Sequence, residues 1–263
     1  MNKKMALLCF YSLNAWAVAD CGLELSLPHE IRIDAHGVNA QYLRVSNRSE
    51  ACDFFISFPE VTGSRHQLTN GHDHLHYSIS ANATSNNLEF SANTHGEIIR
   101  GRLVDGQKFI NVPFFIAAPV KAGAKAGRYT HSLLVNLFEG SPNADQNLVQ
   151  SKTSIVSFEV PEDVKLSLVE SGVSFTTDDV EQVLDFGVLS HGQTMAFDIL
   201  VKANTGFDLN FSSEHLGRLK HQNKNDFVGY RFYVNGVEHS LRGPNRSTVG
   251  YALDGVTRFN AKV

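Results

Sequence analysis

The chain has 263 residues and a formal charge of −4, with a pI near 6.3. That balance leaves no basic stripe for nucleic acid or an anionic membrane. The length accommodates two ordinary domains, and 42% hydrophobic residues with 18 Phe exclude a disordered chain.

At the start, Lys3 and Lys4 precede the short apolar stretch Met5 to Leu13, and Ala17-Val18-Ala19 makes a small-x-small cleavage site. Residues 1–19 therefore read as a secretory signal peptide. The stretch is too short to span a bilayer, which takes about 20 apolar residues. Asp20 before Cys21 argues against a lipid anchor. Cleavage would remove Cys9 and leave Cys21 and Cys52. In an oxidising compartment an even count predicts one disulfide rather than two buried thiols, stabilising the fold by about 3–4 kcal/mol.

Beyond the leader, the pattern is period-two alternation and short β-branched or aromatic runs, bounded by Gly, Asn, Asp and Ser. Strands are expected at Glu30–Ile33, Tyr42–Val45, Phe54–Phe58 and Leu75–Ile79, then at Phe109–Ile116, Leu133–Phe138 and Ile155–Phe158. Asn-Gly at 70–71 and 235–236, and Asp-Gly at 105–106 and 254–255, punctuate them as turns. The fold class is all-β: two immunoglobulin-like sandwiches in tandem.

A weak internal repeat sets the division. Tyr42–Asn47 leading into Cys52–Phe58 is answered by Phe197–Asn204 leading into Phe207–Phe211. Leu75–Ile79 is answered by Val228–Tyr233, and Phe109–Pro113 by Val256–Ala261. With a boundary near Pro161, the expected domains are 20–160 and 161–263. Nothing after Phe259–Val263 answers Ala126–Phe138 or Ile155–Val160. The second sandwich is thus expected to lack its final strands, as in a unit completed by another strand or a chain stopping short of a natural terminus.

Enzyme templates are missing: no G-x-S-x-G, H-E-x-x-H, C-x-x-C or phosphate loop occurs. No catalytic residue and no cofactor is expected. The weak metal candidate is His72, His74 and His76, which on an extended strand point to one face and could hold Zn²⁺ or Cu²⁺. Following an Asn-Gly turn, they read better as solvated histidines, and most of the other histidines as surface residues. Glu162/Asp163 and Asp178/Asp179 read as loop charge.

Leu184-Asp185-Phe186-Gly187 followed by Phe197–Ala203 resembles the L-D-F-G…I-x-V-x-C opening of spore coat protein U-type domains. Gly217-Arg218-Leu219 with Gly229–Gly236 is similar to that family's G/R-x-L…Y-x-L-Y segment, and Ala126–Leu133 to its A-G-x-Y-x-D-x-L strand. Ala203 stands where the family often has cysteine, and His131 replaces its usual acidic residue. The resemblance implies the two-domain tip subunit of an archaic chaperone–usher pilus, an adhesin-like domain followed by a pilin-like one. The partners it implies are a periplasmic chaperone, an outer-membrane usher, a neighbouring pilin subunit and a surface or host receptor. Donor-strand addition would assemble them, giving export to the periplasm, display on the cell surface, attachment and biofilm formation. Turns 63–74, 80–87 and 93–96 are candidate ligand contacts. A secreted carbohydrate-binding or carbohydrate-processing sandwich, and a coat or matrix protein without an usher, are the alternatives.

Overall fold

The computed structural model describes residues 21–34, 39–48, 51–59, 66–82, 88–119, 123–142, 146–177, 180–242, 245–249 and 256–263. The expected signal peptide and the Asp254-Gly255 turn lie outside them. Every helix or strand element among the described residues is a strand. No helix among them is long and apolar enough to cross a membrane.

In chain order, β1 (Glu24–Ser26), β2 (Glu30–Ile33), β3 (Asn39–Ser46) and β4 (Cys52–Pro59) come first. The short β5 (Gln67–Asn70), β6 (Asp73–His76), β7 (Ser78–Ser80) and β8 (Glu89–Ser91) follow. The longer β9 (Gly96–Leu103), β10 (Phe109–Ala117), β11 (Gly127–Gly140) and β12 (Gln146–Val160) complete this part. They form two sheets, β1-β3-β10-β7 and β2-β12-β11-β4-β9-β8, with the β5–β6 hairpin attached to β11. Alternation places one row of each strand inward. Leu43, Val45, Val112, Phe114 and Ile116 of the first sheet join Phe54, Ile56, Phe58, Tyr129, Leu133 and Val135 of the second in one core.

The chain start serves both sheets. β1 pairs antiparallel with β3, while β2 runs parallel to β12. The crossing falls at Leu27-Pro28-His29, where Pro28 has no N–H to give a ladder and its carbonyl accepts the Ser154 hydroxyl at 2.8 Å.

Two expectations change. Leu75–Ile79 is not one strand: β6 pairs with β5 and β7 with β10 in the other sheet, so Tyr77 marks a crossing. β9, unmarked by the sequence pattern, pairs along all of β4. Its Gly101 lies against the Phe54 ring, where a Cβ would sit 2.2 Å from Phe54 Cζ.

The later strands are β13 (Val164–Glu170), β14 (Ala196–Ala203), β15 (Phe207–Phe211), β16 (Arg218–Lys220) and β17 (Phe227–Gly229). After them come β18 (Phe232–Val234), β19 (Val237–His239), β20 (Asn245–Val249) and β21 (Thr257–Lys262). Five form the sheet β13-β14-β21-β18-β19, and β15-β20 and β16-β17 form two-stranded ribbons. Asn235 and Gly236 both take positive φ, 51° and 82°, as a two-residue type I′ hairpin requires. A second core cluster centres on Ile199, Val201, Phe232, Val234 and Phe259.

Pairings in the two halves correspond. β1-β3-β10-β7 is matched by β13-β14-β21-β18, and the β4–β9 pair by β15–β20. Among the described residues no strand after β15 takes the place of β11 or β12.

Candidate functional site: an open strand edge

The correspondence isolates β15. In the first half, β4 lies between β11 and β9, and its inward Phe54, Ile56 and Phe58 are 2%, 0% and 0% exposed. Phe207, Leu209 and Phe211 form the corresponding row of β15, yet they are only half-buried. They pack on the second core from one side: Phe207 meets Phe259 edge-on at 6.4 Å, and Phe211 meets Phe232 at 5.0 Å. β15 pairs with β20 alone among the described strands, so its other edge offers backbone N–H and C=O groups to a further strand. β13 adds apolar surface, with Val164 49% and Leu166 38% exposed. This arrangement can accept a chain in extended form; it gathers no nucleophile and base.

Cys21 and Cys52 are bonded, with Cα atoms 6.2 Å apart. The bond ties the segment before β1 to the first residue of β4. It also rules out a metal at the one group of three His, Cys, Asp or Glu whose ligand atoms lie within 4.8 Å of one another among the described residues, Cys21, Cys52 and Glu139.

The histidine cluster does not present three ligands from one strand. His72 is in the turn, and only His74 and His76 lie on the outer face of β6, alternating with buried Leu75. Of the candidate contact turns, residues 63–65 and 83–87 lie outside the described residues, as do Asp178 and Asp179. Residues 66–74 form the β5–β6 hairpin instead of an open loop. The 93–96 turn is braced by Asn93, whose amide donates to the Pro142 carbonyl at 3.0 Å. Glu162 and Asp163 lie exposed in the connection before β13.

Two histidines are not surface residues. His66 is 7% exposed and His131 half-buried. The Tyr77 hydroxyl and His131 Nδ1 share a hydrogen bond at 2.7 Å, and His66 Nε2 lies 3.2 Å from Glu97 Oε2. Burial and the nearby His66 hold His131 below the usual histidine range. Burial and Glu97 push the Tyr77 hydroxyl above the usual tyrosine range, so it keeps its hydrogen. The period-two pattern of β11 could place His131 inward, but its partners are far away in sequence.

No family model matches the chain, and no curated protein does. Solved structures do. One is the CsuC-CsuE chaperone–tip adhesion subunit pre-assembly complex from archaic chaperone-usher Csu pili of Acinetobacter baumannii. A chain of it matches at TM-score 0.39 and 13% identity, over 91% of this chain and 93% of that one. The CooA pilin subunit from enterotoxigenic Escherichia coli matches at TM-score 0.35 and 13% identity, over 53% of this chain and 99% of that one. AggA, the major subunit of aggregative adherence fimbriae type I from Escherichia coli, matches at 0.30 and 16%, over 53% and 93%.

Proposed function

We propose that the chain is a non-enzymatic subunit of a surface fibre, built of two immunoglobulin-like units at 20–160 and 161–263. Its second unit is completed by a strand that a partner donates. The observation that carries this reading is β15, whose inward side chains are only half-buried where those of β4 are buried. A donated strand would pair with the free edge through its backbone and seat alternate apolar side chains over Phe207, Leu209 and Phe211.

The donors in this reading are a periplasmic chaperone and then a neighbouring subunit, with an outer-membrane usher between them. An end position in the fibre is supported by residues 21–33. They are used inside the first unit, by the disulfide, by β1 on β3 and by β2 on β12, so they are not offered as a donor strand. The first unit then faces outward and carries attachment to a surface or host receptor.

Expression in the periplasm tests the reading. Alone, the chain should purify as aggregate or oligomer; with a cognate two-domain chaperone it should give a defined one-to-one complex. A monodisperse, cooperatively unfolding monomer with no partner present would overturn it.

A further inference from the structure

The outer face of the first sheet is unlike that of the second. On β10 the outward row is Phe109, Asn111, Pro113 and Phe115, and its register partners on β3 are Ser46, Arg44, Tyr42 and Ala40. β1 extends two of these rows, with Glu24 beside Ser46 and Ser26 beside Arg44. Tyr42 is 59% and Phe109 44% exposed, and Asn111 and Pro113 are exposed between them. The Arg44 guanidinium carbon lies 3.8 Å from the centre of the Phe109 ring.

Charge is sparse on this face. The outer rows of β1, β3, β10 and β7 carry two charged side chains, Glu24 and Arg44, of opposite sign. The second sheet instead carries the ion pairs Glu30–Arg128, Glu89–Arg100 and Asp53–Arg102. A face with exposed aromatic rings, neutral hydrogen-bonding groups and no net charge suits a neutral ligand and gives a polyanion nothing to prefer.

Size narrows the ligand further. From Phe109 to Phe115 the strip runs about 20 Å, and three strands make it about 15 Å wide. That area, about 300 Å², falls well short of the roughly 800 Å² per partner that a stable protein interface buries. An added peptide strand would pair at a sheet edge through its backbone, whereas this strip offers side chains on a face. We propose that the strip binds a neutral, straight, β-linked polysaccharide chain, a site that rests on the attachment role given above to the first unit.

The chemistry follows from the side chains. The C–H face of a sugar ring packs against the electron-rich face of an aromatic ring, and Tyr42 offers such a face. Phe109, about 14 Å along the strip, supports a second ring of the same chain. It also holds the Arg44 guanidinium over itself, so that the N–H donors of Arg44 meet sugar hydroxyls. Asn111, level with Arg44 on the next strand, supplies both a donor and an acceptor.

The test uses the full chain, expressed in the periplasm and captured on a sensor through an added C-terminal tag. Cellohexaose and chitohexaose are the straight probes, and maltohexaose is the curved control. At least one straight probe should bind about tenfold or more tighter than maltohexaose, and which one does so separates a glucan from an N-acetylglucosamine chain. Tyr42→Ala and Phe109→Ala should each weaken that binding at least about fivefold, and Tyr42→Phe should restore it to within about threefold. Phe90→Ala, at an aromatic 49% exposed on the second sheet, should leave it within about twofold. The linked Cys21–Cys52 peptide reports a folded first unit in every variant. No binding of either straight probe, equal binding of maltohexaose, or full binding by Tyr42→Ala would overturn the strip. A change of oligomeric state in Tyr42→Ala would assign the face to a second copy of the chain and equally overturn it. None of these results touches complex formation with a chaperone, which reads the strand edge of β15 separately.

Discussion

Asn204 and Asp163 hold each other in both directions. Asn204 Oδ1 accepts the Asp163 N–H at 2.7 Å, and the Asn204 N–H donates to the Asp163 carbonyl at 3.1 Å. The Asn204 amide also donates to the Pro161 carbonyl at 2.9 Å, and its own carbonyl accepts the Ala126 N–H at 2.9 Å. One residue past the end of β14 thus straps the 161–163 connection and touches the segment entering β11.

Replacing Asn204 by Ala removes two side-chain bonds and should cost about 1–2 kcal/mol. Limited proteolysis should then cut between residues 160 and 164 faster than in wild type. Asn204→Asp keeps the acceptor and loses the amide donor, so its cutting rate should fall between the two. Equal rates in all three proteins would show that the connection is held by something else.

Asp198 is 1% exposed. It pairs with Arg258, accepts the Gly172 N–H at 2.7 Å and receives the Ser171 hydroxyl at 3.5 Å. Arg258 in turn donates to the Val173 carbonyl at 2.9 Å, so the turn after β13 is fastened to β14 and β21. Asp198→Ala should destabilise the second unit by about 1–3 kcal/mol, because it leaves the Gly172 N–H without its acceptor and removes the ion pair with Arg258. Arg258→Gln should cost less, since the arginine side chain is 39% exposed and water can replace it. Denaturant titration of the chaperone complex would rank the two.

The sequence shows the strand set well where one face is apolar throughout. Glu30–Ile33 and Phe109–Ile116 coincide with β2 and nearly all of β10, because β-branched and aromatic residues fit a pleated, half-buried surface. β9 escapes that reading, since Gly96, Glu97, Arg100, Gly101 and Arg102 dilute the two residues it buries deeply, Ile98 and Leu103. The open edge was legible only by counting strands against the repeat. The Tyr77–His131 contact was not legible at all: 54 positions separate the partners, and only the β5–β11 pairing at Thr69 and Thr130 and the crossing at Tyr77 bring them together.

Glu30 predicts a dependence of stability on acid pH. It accepts the Ser157 hydroxyl at 2.6 Å, Arg32 Nε at 3.1 Å and Arg128 Nη2 at 2.7 Å, clamping β2 onto β12 and β11. The Ser157 bond, then Arg32 and Arg128, lower its carboxyl from 4.5 to about 2. Its contribution is complete above 4.5 and is lost as pH falls from there toward about 2. Glu30→Gln should flatten the melting temperature against pH in that window. An unaltered acid limb would remove Glu30 from the account.

The strand-edge reading makes a matched prediction at two equivalent strands. Leu209 on β15 and Ile56 on β4 are both inward residues near the middle of their strands, but Ile56 is 0% exposed and Leu209 half-buried. Ile56→Glu buries a carboxylate in a closed core, costs several kcal/mol and should prevent folding of the first unit. Leu209→Glu leaves the new carboxylate reachable by water when no partner is bound, so its cost to the second unit alone should be about 1 kcal/mol. Its effect should appear on association. A donated strand covers Leu209, so the charge must then be desolvated against an apolar insert, and chaperone affinity should fall at least about tenfold. Asp208→Asn, on the outward face of the same strand, serves as the control and should leave affinity within about twofold. Competition in the periplasm between each variant and the wild-type chain for a limiting, tagged chaperone would rank them, and undiminished capture of Leu209→Glu would mean that the partner does not sit on β15.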